Sequence, residues 1–336
     1  MSATIATVGE RALIARLHRR VPPPPEHVRL GIGDDAALIA PATGRQMVVT
    51  TDVLVEDIHF RRHRTPCDAI GWKALAVNLS DLASMGADPT GSLLSLVLPD
   101  DLTLDAFDQL IDGYLALARA TSTPLIGGNI SRSPGPLVVD VTAIGEVLGR
   151  RALRRVGARP GDALYVTGQL GAAAAGLALL EQGAARETLD ADARACIERH
   201  ERPEPRLKLG RIASRTGTAS AAMDLSDGLA DAARQLAEAA GLGVIIEAAA
   251  LPCHPGAAAL AAARGESAAA FALSAAEDYE LAFVVPGRRT YRFEAAARRD
   301  RNVPVTRVGR FTAEPGARVE WPDGSITELP RGFAHF

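Results

Sequence analysis

Cysteines are scarce in this sequence, and none has the paired spacing of a metal site. Only Cys67, Cys196 and Cys253 occur in 336 residues. Their odd number and wide separation argue against a disulfide framework, and the lack of a CxxC pair argues against zinc. This usage is typical of a reducing compartment, so we expect a cytoplasmic protein.

Long apolar runs and an excess of one charge are also lacking. No stretch approaches the ~20 apolar residues of a membrane span, and the opening MSATIATVGERALIARLHRR has charges where a signal peptide needs an apolar core. The 37 Lys and Arg against 40 Asp and Glu leave a net charge of −3. Neither a membrane nor nucleic acid is therefore an expected partner.

The length and the 47% hydrophobic content suit two domains of mixed α/β (α+β) structure. Periodicity predicts helices at 10–20, 68–85 and 104–119, and strands at 37–39, 47–51, 92–98 and 137–147. A basic, Gly/Pro-rich segment at 149–162 marks a boundary between domains 1–150 and 151–336. Beyond it we expect helices near 171–182, 205–214 and 227–241, with strands near 163–167, 243–247 and 279–285.

Four motifs place acids in otherwise apolar sequence, where an unpaired buried carboxylate is costly unless a cation or hydrogen-bond donors compensate. The motifs are GIGDDAALI, VVTTDVLVEDIHF, KALAVNLSDLASMGADP and AAMDLSDGLADAA. The acids of interest in them, each expected at the end of an element, are Asp34, Asp35, Asp52, Asp81, Asp224 and Asp227. Hard oxygen donors with few histidines favour magnesium, calcium or manganese over zinc. More carboxylates than one ion needs indicates several ions bridging a polyphosphate.

Structural roles compete with these interpretations. Asp227 suits the N-cap of a following helix, and Asp34 and Asp35 suit a turn. Gly127 and Gly128 are expected in a loop, either as a phosphate cradle or as a plain turn. No P-loop, dinucleotide-binding unit or protein-kinase signature occurs, so phosphoryl transfer would need another architecture.

With LIGGN, ALYVTGQLGAAAAGLALL, SAAEDYELAF and the closing GFAHF, these motifs resemble the thiamine-monophosphate kinase family. That family belongs to an ATP-binding superfamily with aminoimidazole ribonucleotide synthetase, selenophosphate synthetase and a hydrogenase maturation factor. The motifs follow the family's order nearly end to end.

The resemblance implies a homodimer in which the mixed sheet of the N-terminal domain pairs across subunits. It also implies a C-terminal, sandwich-like α/β domain that completes the ATP and substrate site. The implied reaction is direct in-line transfer of the ATP γ-phosphoryl group to thiamine monophosphate, assisted by several Mg2+ ions, with no certain catalytic side chain. The implied metal ligands are Asp35, Thr50, Thr51, Asp52, Asp81, Asn129, Asp224 and Asp227. ATP would contact Gly128, Asn129, Arg155 and Ser226, and thiamine monophosphate would contact His59, Glu277 and Phe333.

The sequence departs from the family pattern in three places. Asn129 replaces an aspartate, so weaker or compensated binding of magnesium or ATP is expected there. Ala275 and Ala276 replace glycines, which matters where the backbone needs positive φ. Phe333 stands where Trp or Tyr is frequent. Two alternatives stay open: another ATP-dependent enzyme of the superfamily, and a non-catalytic nucleotide or thiamine-phosphate binding protein. The selenophosphate and maturation enzymes would want reactive cysteines that this chain lacks near its ends.

Overall fold

The structure is a computed structural model that describes residues 5–32 and 36–330. The chain forms two compact units. The first contains Met1–Leu82 and Asp88–Gly149, and the second contains Ala83–Ala87 and Arg150–Phe336.

The first unit combines a small β-hairpin, a four-stranded sheet and its helices. Its strands are β1 (Val28–Leu30), β2 (Leu38–Ile39), β3 (Arg45–Val55), β4 (Asp88–Pro99), β5 (Leu125–Ser133) and β6 (Val138–Leu148). Its helices are α1 (Ile5–Val8), α2 (Glu10–Arg20), α3 (Cys67–Ser84), whose last two residues count with the second unit, and α4 (Leu104–Thr121).

The second unit alternates shorter strands and helices around one sheet. Its helices are α5 (Ala172–Glu181), α6 (Ala191–Glu201), α7 (Leu207–Thr216), α8 (Leu229–Glu238), α9 (Pro255–Ala263), α10 (Ala268–Ser274) and α11 (Thr290–Ala297). Its strands are β7 (Ala163–Thr167), β8 (Ala221–Asp224), β9 (Gly243–Glu247), β10 (Leu281–Val285), β11 (Val305–Thr312), β12 (Gly316–Glu320) and β13 (Ile326–Glu328).

The sheet of the first unit has the order β3-β6-β4-β5, with β4 and β5 parallel and the other pairs antiparallel. Helices α3 and α4 approach so closely that a Cβ on Gly71 would lie 1.9 Å from the Leu110 carbonyl oxygen. The Tyr114 hydroxyl of α4 donates a hydrogen bond of 2.7 Å to Ser92 on β4. One face of the sheet is therefore buried under helices, whereas alternate residues of β3 on the other face are exposed.

The seven-stranded sheet of the second unit has the order β13-β12-β9-β11-β7-β10-β8 and is also mixed, because β12 pairs parallel to β9. Its central strands β7 and β10 are buried along their whole length, as expected of strands covered on both faces. Leucine and alanine side chains of α8, including Leu229 and Leu236, complete the core against this sheet.

The predicted two-domain mixed α/β fold is confirmed. The helix predicted at 10–20 is α2, and those predicted at 68–85 and 104–119 are α3 and α4. The predicted loop at Gly127 and Gly128 is wrong, because both glycines lie inside β5. In the ranges that the structure describes, no helix is both long enough and apolar enough to cross a membrane. The roles assigned to domains 1–150 and 151–336 stay predictions.

Candidate active site

The first unit brings three predicted metal ligands together on the helix-covered face of its sheet: Thr50, Asp52 and Asp81. Thr50 and Asp52 are two residues apart on β3, so they share a face. The Thr50 hydroxyl donates a hydrogen bond of 2.5 Å to the Asp81 carboxylate on α3. Asp52 lies inside its strand and Asp81 inside its helix, so the expectation that these acids end elements is wrong for both.

The environment of Asp52 disfavours a negative charge. Burial, together with the neighbouring carboxylates of Asp81 and Asp140, raises the pKa of Asp52 to about 7. A cation beside Asp52 and Asp81 would offset both penalties, since it replaces lost hydration and screens the repulsion between the carboxylates. Hard oxygen donors in this arrangement suit magnesium.

Thr51 belongs to the opposite face of β3. Its hydroxyl donates to the Asp140 carboxylate at 3.1 Å and to the Val141 carbonyl oxygen at 3.1 Å. Thr142 on β6 in turn donates to the Thr51 hydroxyl at 3.3 Å. Strand alternation therefore places the side chain of Thr51 on the other face from those of Thr50 and Asp52.

Asn129 also lies on the face opposite Asp52. It pairs with Ser95 across β4, Ser95 pairs with Asp140 on β6, and Asp140 pairs with Val53 on β3. Since paired residues share a face and neighbours alternate, Asn129 lies with Val53 rather than with Asp52. Its change from the family aspartate removes no ligand from the Asp52 and Asp81 pair.

Packing within the sheet explains why residue 128 is a glycine. Its φ of 155° and the close approach of β4, which would place a Cβ 1.9 Å from the Leu94 carbonyl oxygen, both require glycine. The residue is therefore explained within the sheet, whether or not it also contacts a phosphate.

His59 lies in the turn that follows β3. Its Nδ1 accepts a hydrogen bond of 3.1 Å from the backbone N–H of Val55. An uncharged imidazole that accepts at Nδ1 carries its proton on Nε2, so the ring is oriented as a donor at Nε2.

Three predicted site residues, Asp34, Asp35 and Phe333, lie outside the described residues.

The second unit joins two of the recognised motifs by hydrogen bonds. Asp224 ends β8 as predicted, and Ser226 donates to its carboxylate at 3.4 Å. The backbone N–H of Glu277 donates to the Ser226 carbonyl oxygen at 2.7 Å, and that of Tyr279 donates to Leu225 at 3.3 Å. The DLSDG and EDYEL segments therefore form one layer.

The N-cap interpretation of Asp227 is wrong, because Gly228 occupies the N-cap of α8 and no side chain caps it. A Cβ on Gly228 would lie 2.0 Å from the Ala275 carbonyl oxygen, so this glycine lets the two motifs approach. Neither Ala275 nor Ala276 has positive φ. The left-handed residues of this segment are Glu277, at 62°, and Tyr279, at 49°.

Sequence reasoning assigned only Glu277 of the EDYEL motif and missed its other two acids. Asp278 accepts hydrogen bonds from the backbone N–H groups of Gly171 and Ala173. Glu280 is buried and forms a bidentate ion pair with Arg206, and it also accepts a bond of 2.5 Å from Thr167. The density of acids in the motif was the available signal, but their partners are far away in sequence.

Arg155, the predicted ATP contact, is exposed and held by a polar chain. Its guanidinium donates to Gln235 at 2.7 Å, and Gln235 donates to Asp231 at 2.6 Å.

In the described part of the chain, no group of three or more His, Cys, Asp or Glu side chains is placed to hold a metal. Magnesium typically takes only one or two protein carboxylates, so the Asp52 and Asp81 pair still fits it.

Comparison with known proteins places this architecture in a class. Residues 33–147 match the AIR synthase related protein, N-terminal domain, and residues 159–322 match the AIR synthase related protein, C-terminal domain. The two matches define a two-domain protein of the AIR synthase related class.

Full-length relatives narrow that class. Thiamine-monophosphate kinase of Salmonella typhimurium is 40% identical over 98% of both chains. The crystal structure of thiamine-monophosphate kinase from Stenotrophomonas maltophilia is 38% identical, with a TM-score of 0.81 over 94% of this chain and 95% of that one. A structure of AaThiL complexed with AMPPCP and TMP is 32% identical, with a TM-score of 0.77 over 98% of both chains. The chain belongs to the thiamine-monophosphate kinase family of enzymes.

Proposed function

We propose that this protein transfers the γ-phosphoryl group of ATP to thiamine monophosphate, yielding thiamine diphosphate and ADP. The observation that carries the proposal is the full-length similarity to AaThiL, which was solved with AMPPCP and TMP. The motifs in both units run in the family's order, which supports the same pair of substrates here.

Magnesium fits the acidic pair of the first unit. Asp52 and Asp81 offer hard oxygen ligands, and burial together with nearby carboxylates raises the pKa of Asp52; a bound cation would offset both effects. The proposed ligands, by family position, are Asp35, Thr50, Thr51, Asp52, Asp81, Asn129, Asp224 and Asp227. When bound, several Mg2+ ions would neutralise charge on the phosphoryl oxygens and orient them.

The remaining contacts are assigned to the two substrates. ATP is proposed to contact Gly128, Asn129, Arg155 and Ser226, where a guanidinium suits phosphate oxygens. Thiamine monophosphate is proposed to contact His59, Glu277 and Phe333. The carboxylate of Glu277 would suit the cationic thiazolium, and the Nε2–H of His59 would suit an acceptor such as phosphate.

The proposed chemistry is a direct in-line displacement. An oxygen of the thiamine monophosphate phosphate forms a bond to the γ-phosphorus, while the bond from that phosphorus to the β-phosphate bridging oxygen breaks and ADP leaves. The nucleophile is already anionic near neutral pH, so the chain needs no strong general base, and positioning supplies most of the catalysis.

A binding protein without turnover is the second candidate, motivated by Asn129. The structure argues against it, because Asn129 lies on the opposite sheet face from Asp52 and leaves the acidic pair intact. The amide also retains an oxygen that can ligate a hard cation.

We also propose a homodimer formed through the open face of the first unit's sheet. Met47, Val49 and Val53 on β3 are exposed by 54%, 58% and 45% on that face. A row of exposed apolar side chains along a strand at the sheet edge is a typical association surface. The cytoplasmic location stays a prediction.

The decisive experiment is product analysis with ATP, magnesium and thiamine monophosphate. We expect equal amounts of thiamine diphosphate and ADP, separated by chromatography. Asp52→Ala should lower turnover at least ~100-fold, since it removes a proposed ion ligand, whereas Asp112→Ala, an exposed acid paired with Arg20, should not. Binding of both substrates without product would refute the enzyme proposal in favour of the binding protein. Full turnover by Asp52→Ala would refute the metal assignment.

A further inference from the structure

The segment around Asp278 has an unusual backbone. Glu277 and Tyr279, on either side of it, both have positive φ, at 62° and 49°. Residues with a Cβ rarely adopt this conformation, and they keep it only where surrounding contacts hold it. The contacts that hold this segment therefore determine where the Glu277 carboxylate lies.

The Asp278 side chain supplies two of those contacts. One carboxylate oxygen accepts from the Gly171 N–H at 2.7 Å, and the other accepts from the Ala173 N–H at 3.2 Å. These amides belong to the start of α5, where Gly171 is the N-cap residue and has no side chain of its own. Asp278 thus performs the capping role from 107 positions away in sequence.

Burial disfavours the charged form of Asp278, and the hydrogen bonds from the two amides stabilise that form. Burial raises the pKa of Asp278 to about 7, while the Gly171 and Ala173 amides act in the opposite direction. The positive end of the α5 dipole adds to their effect.

Helix α6, which packs against α5, also contacts the Glu277 side chain. His200 on α6 has its Nδ1 3.2 Å from a Glu277 carboxylate oxygen. Helices α5 and α6 contact closely, since a Cβ on Gly176 would lie 2.1 Å from the Cys196 carbonyl oxygen. Asp278 fastens the segment to α5, and this sets the distance between Glu277 and α6.

We propose that Asp278 is a positioning residue for substrate recognition: its cap on α5 holds residues 277–279 in the left-handed conformation that aims the Glu277 carboxylate at the cationic part of thiamine monophosphate. The inference rests on the proposed function and adds a residue that touches neither substrate nor metal. It predicts that loss of the cap weakens binding of thiamine monophosphate and leaves ATP binding intact.

The test compares Asp278→Ala and Asp278→Asn with the wild type at pH 8. We expect Asp278→Ala to raise the KM for thiamine monophosphate at least ~10-fold, with the KM for ATP changed less than ~2-fold and kcat less than ~3-fold. Asp278→Asn keeps one acceptor oxygen and should give an intermediate KM. The matched control is Asp190→Ala, which removes the cap of α6, a bond of 2.7 Å from Ala193, without touching the segment.

Titration calorimetry with thiamine monophosphate alone gives a readout besides activity. We expect the wild type to bind most tightly, Asp278→Asn less tightly and Asp278→Ala most weakly. Unchanged KM and affinity in both Asp278 variants would overturn the inference while the proposed function stands. Equal losses for both substrates, or equal losses in the Asp190 control, would show a merely structural role and also overturn it. A wild type that makes no product would instead refute the proposed function. Where Asp278→Ala does not fold, Asp278→Asn decides.

Discussion

Removal of the Asp52 charge should make the metal-free protein more stable, in a way that depends on pH. The folded chain raises the pKa of Asp52 from 3.8 to about 7, so the folded state binds this proton more tightly than the unfolded state. The resulting penalty is absent well below pH 4, grows as the pH rises from about 4 to about 7, and is constant above that. Asp52→Asn removes it.

The size of the effect follows from the two pKa values. At about 1.4 kcal/mol per tenfold change in proton affinity, the full penalty at pH 8 is about 4 kcal/mol. Asp52 is partly exposed, and solvent and salt screen its repulsion, so we expect roughly half, ~2 kcal/mol. At pH 5 the gap between variant and wild type should fall below ~1 kcal/mol.

Calorimetric melting in EDTA at several pH values measures this gap. At pH 8 the variant should melt about 4–8 °C above the wild type, given about 2–4 °C per kcal/mol for domains of this size. Magnesium should raise the Tm of the wild type more than that of the variant. Asp278, with its own raised pKa, contributes equally to both proteins and cancels. The exposed control Asp112→Asn leaves the Asp52 site intact and should not show this rise in Tm at pH 8. A constant gap for Asp52→Asn would refute the reasoning.

Two further predictions concern the core and the open sheet face. Glu280→Gln removes the buried charged partner of Arg206 and leaves it only the exposed Glu204, so urea denaturation should show a loss of about 3 kcal/mol in the free energy of unfolding. The control is Glu204→Gln, because the Glu204 side chain pairs with the same arginine but is 61% exposed; it should lose less than ~1 kcal/mol. Equal losses in the two variants would contradict a stabilising role for the buried Glu280–Arg206 pair. Val49→Glu should convert the proposed dimer to monomer in sedimentation velocity, whereas Tyr291→Glu, exposed by 77% in the second unit, should not. A Val49→Glu dimer would refute the proposed interface.

The sequence singled out Asp52 and Asp81, which the structure brings close together, because both are anomalous in apolar surroundings. Alternation along a strand was enough to separate Thr51 from Thr50, but that argument required knowing that β3 runs from Arg45 to Val55. The prediction for 47–51 ended the strand too early, so Asp52 was placed at an element end.

Other features were beyond prediction from local pattern. Strand β5 was missed because its glycine pair and polar residues have low strand propensity, while the reason for Gly128 lies in the close approach of Leu94 from another strand. The cap from Asp278 to Gly171 and the ion pair of Glu280 with Arg206 join residues 107 and 74 positions apart. Only the folded chain brings such partners together.

In strand β3 the even-numbered residues from Thr50 face the helices and the odd-numbered residues face outward. This alternation constrains which mutations of the segment can be accepted. Its eleven residues all pair with β6, with Thr50 and Asp52 facing the helices and Val49, Thr51 and Val53 facing outward. A one-residue insertion or deletion would exchange the two sets, placing carboxylate outside and valine beside Asp81. Conservative substitutions should therefore be tolerated along this segment, whereas a change in its length should be eliminated by selection.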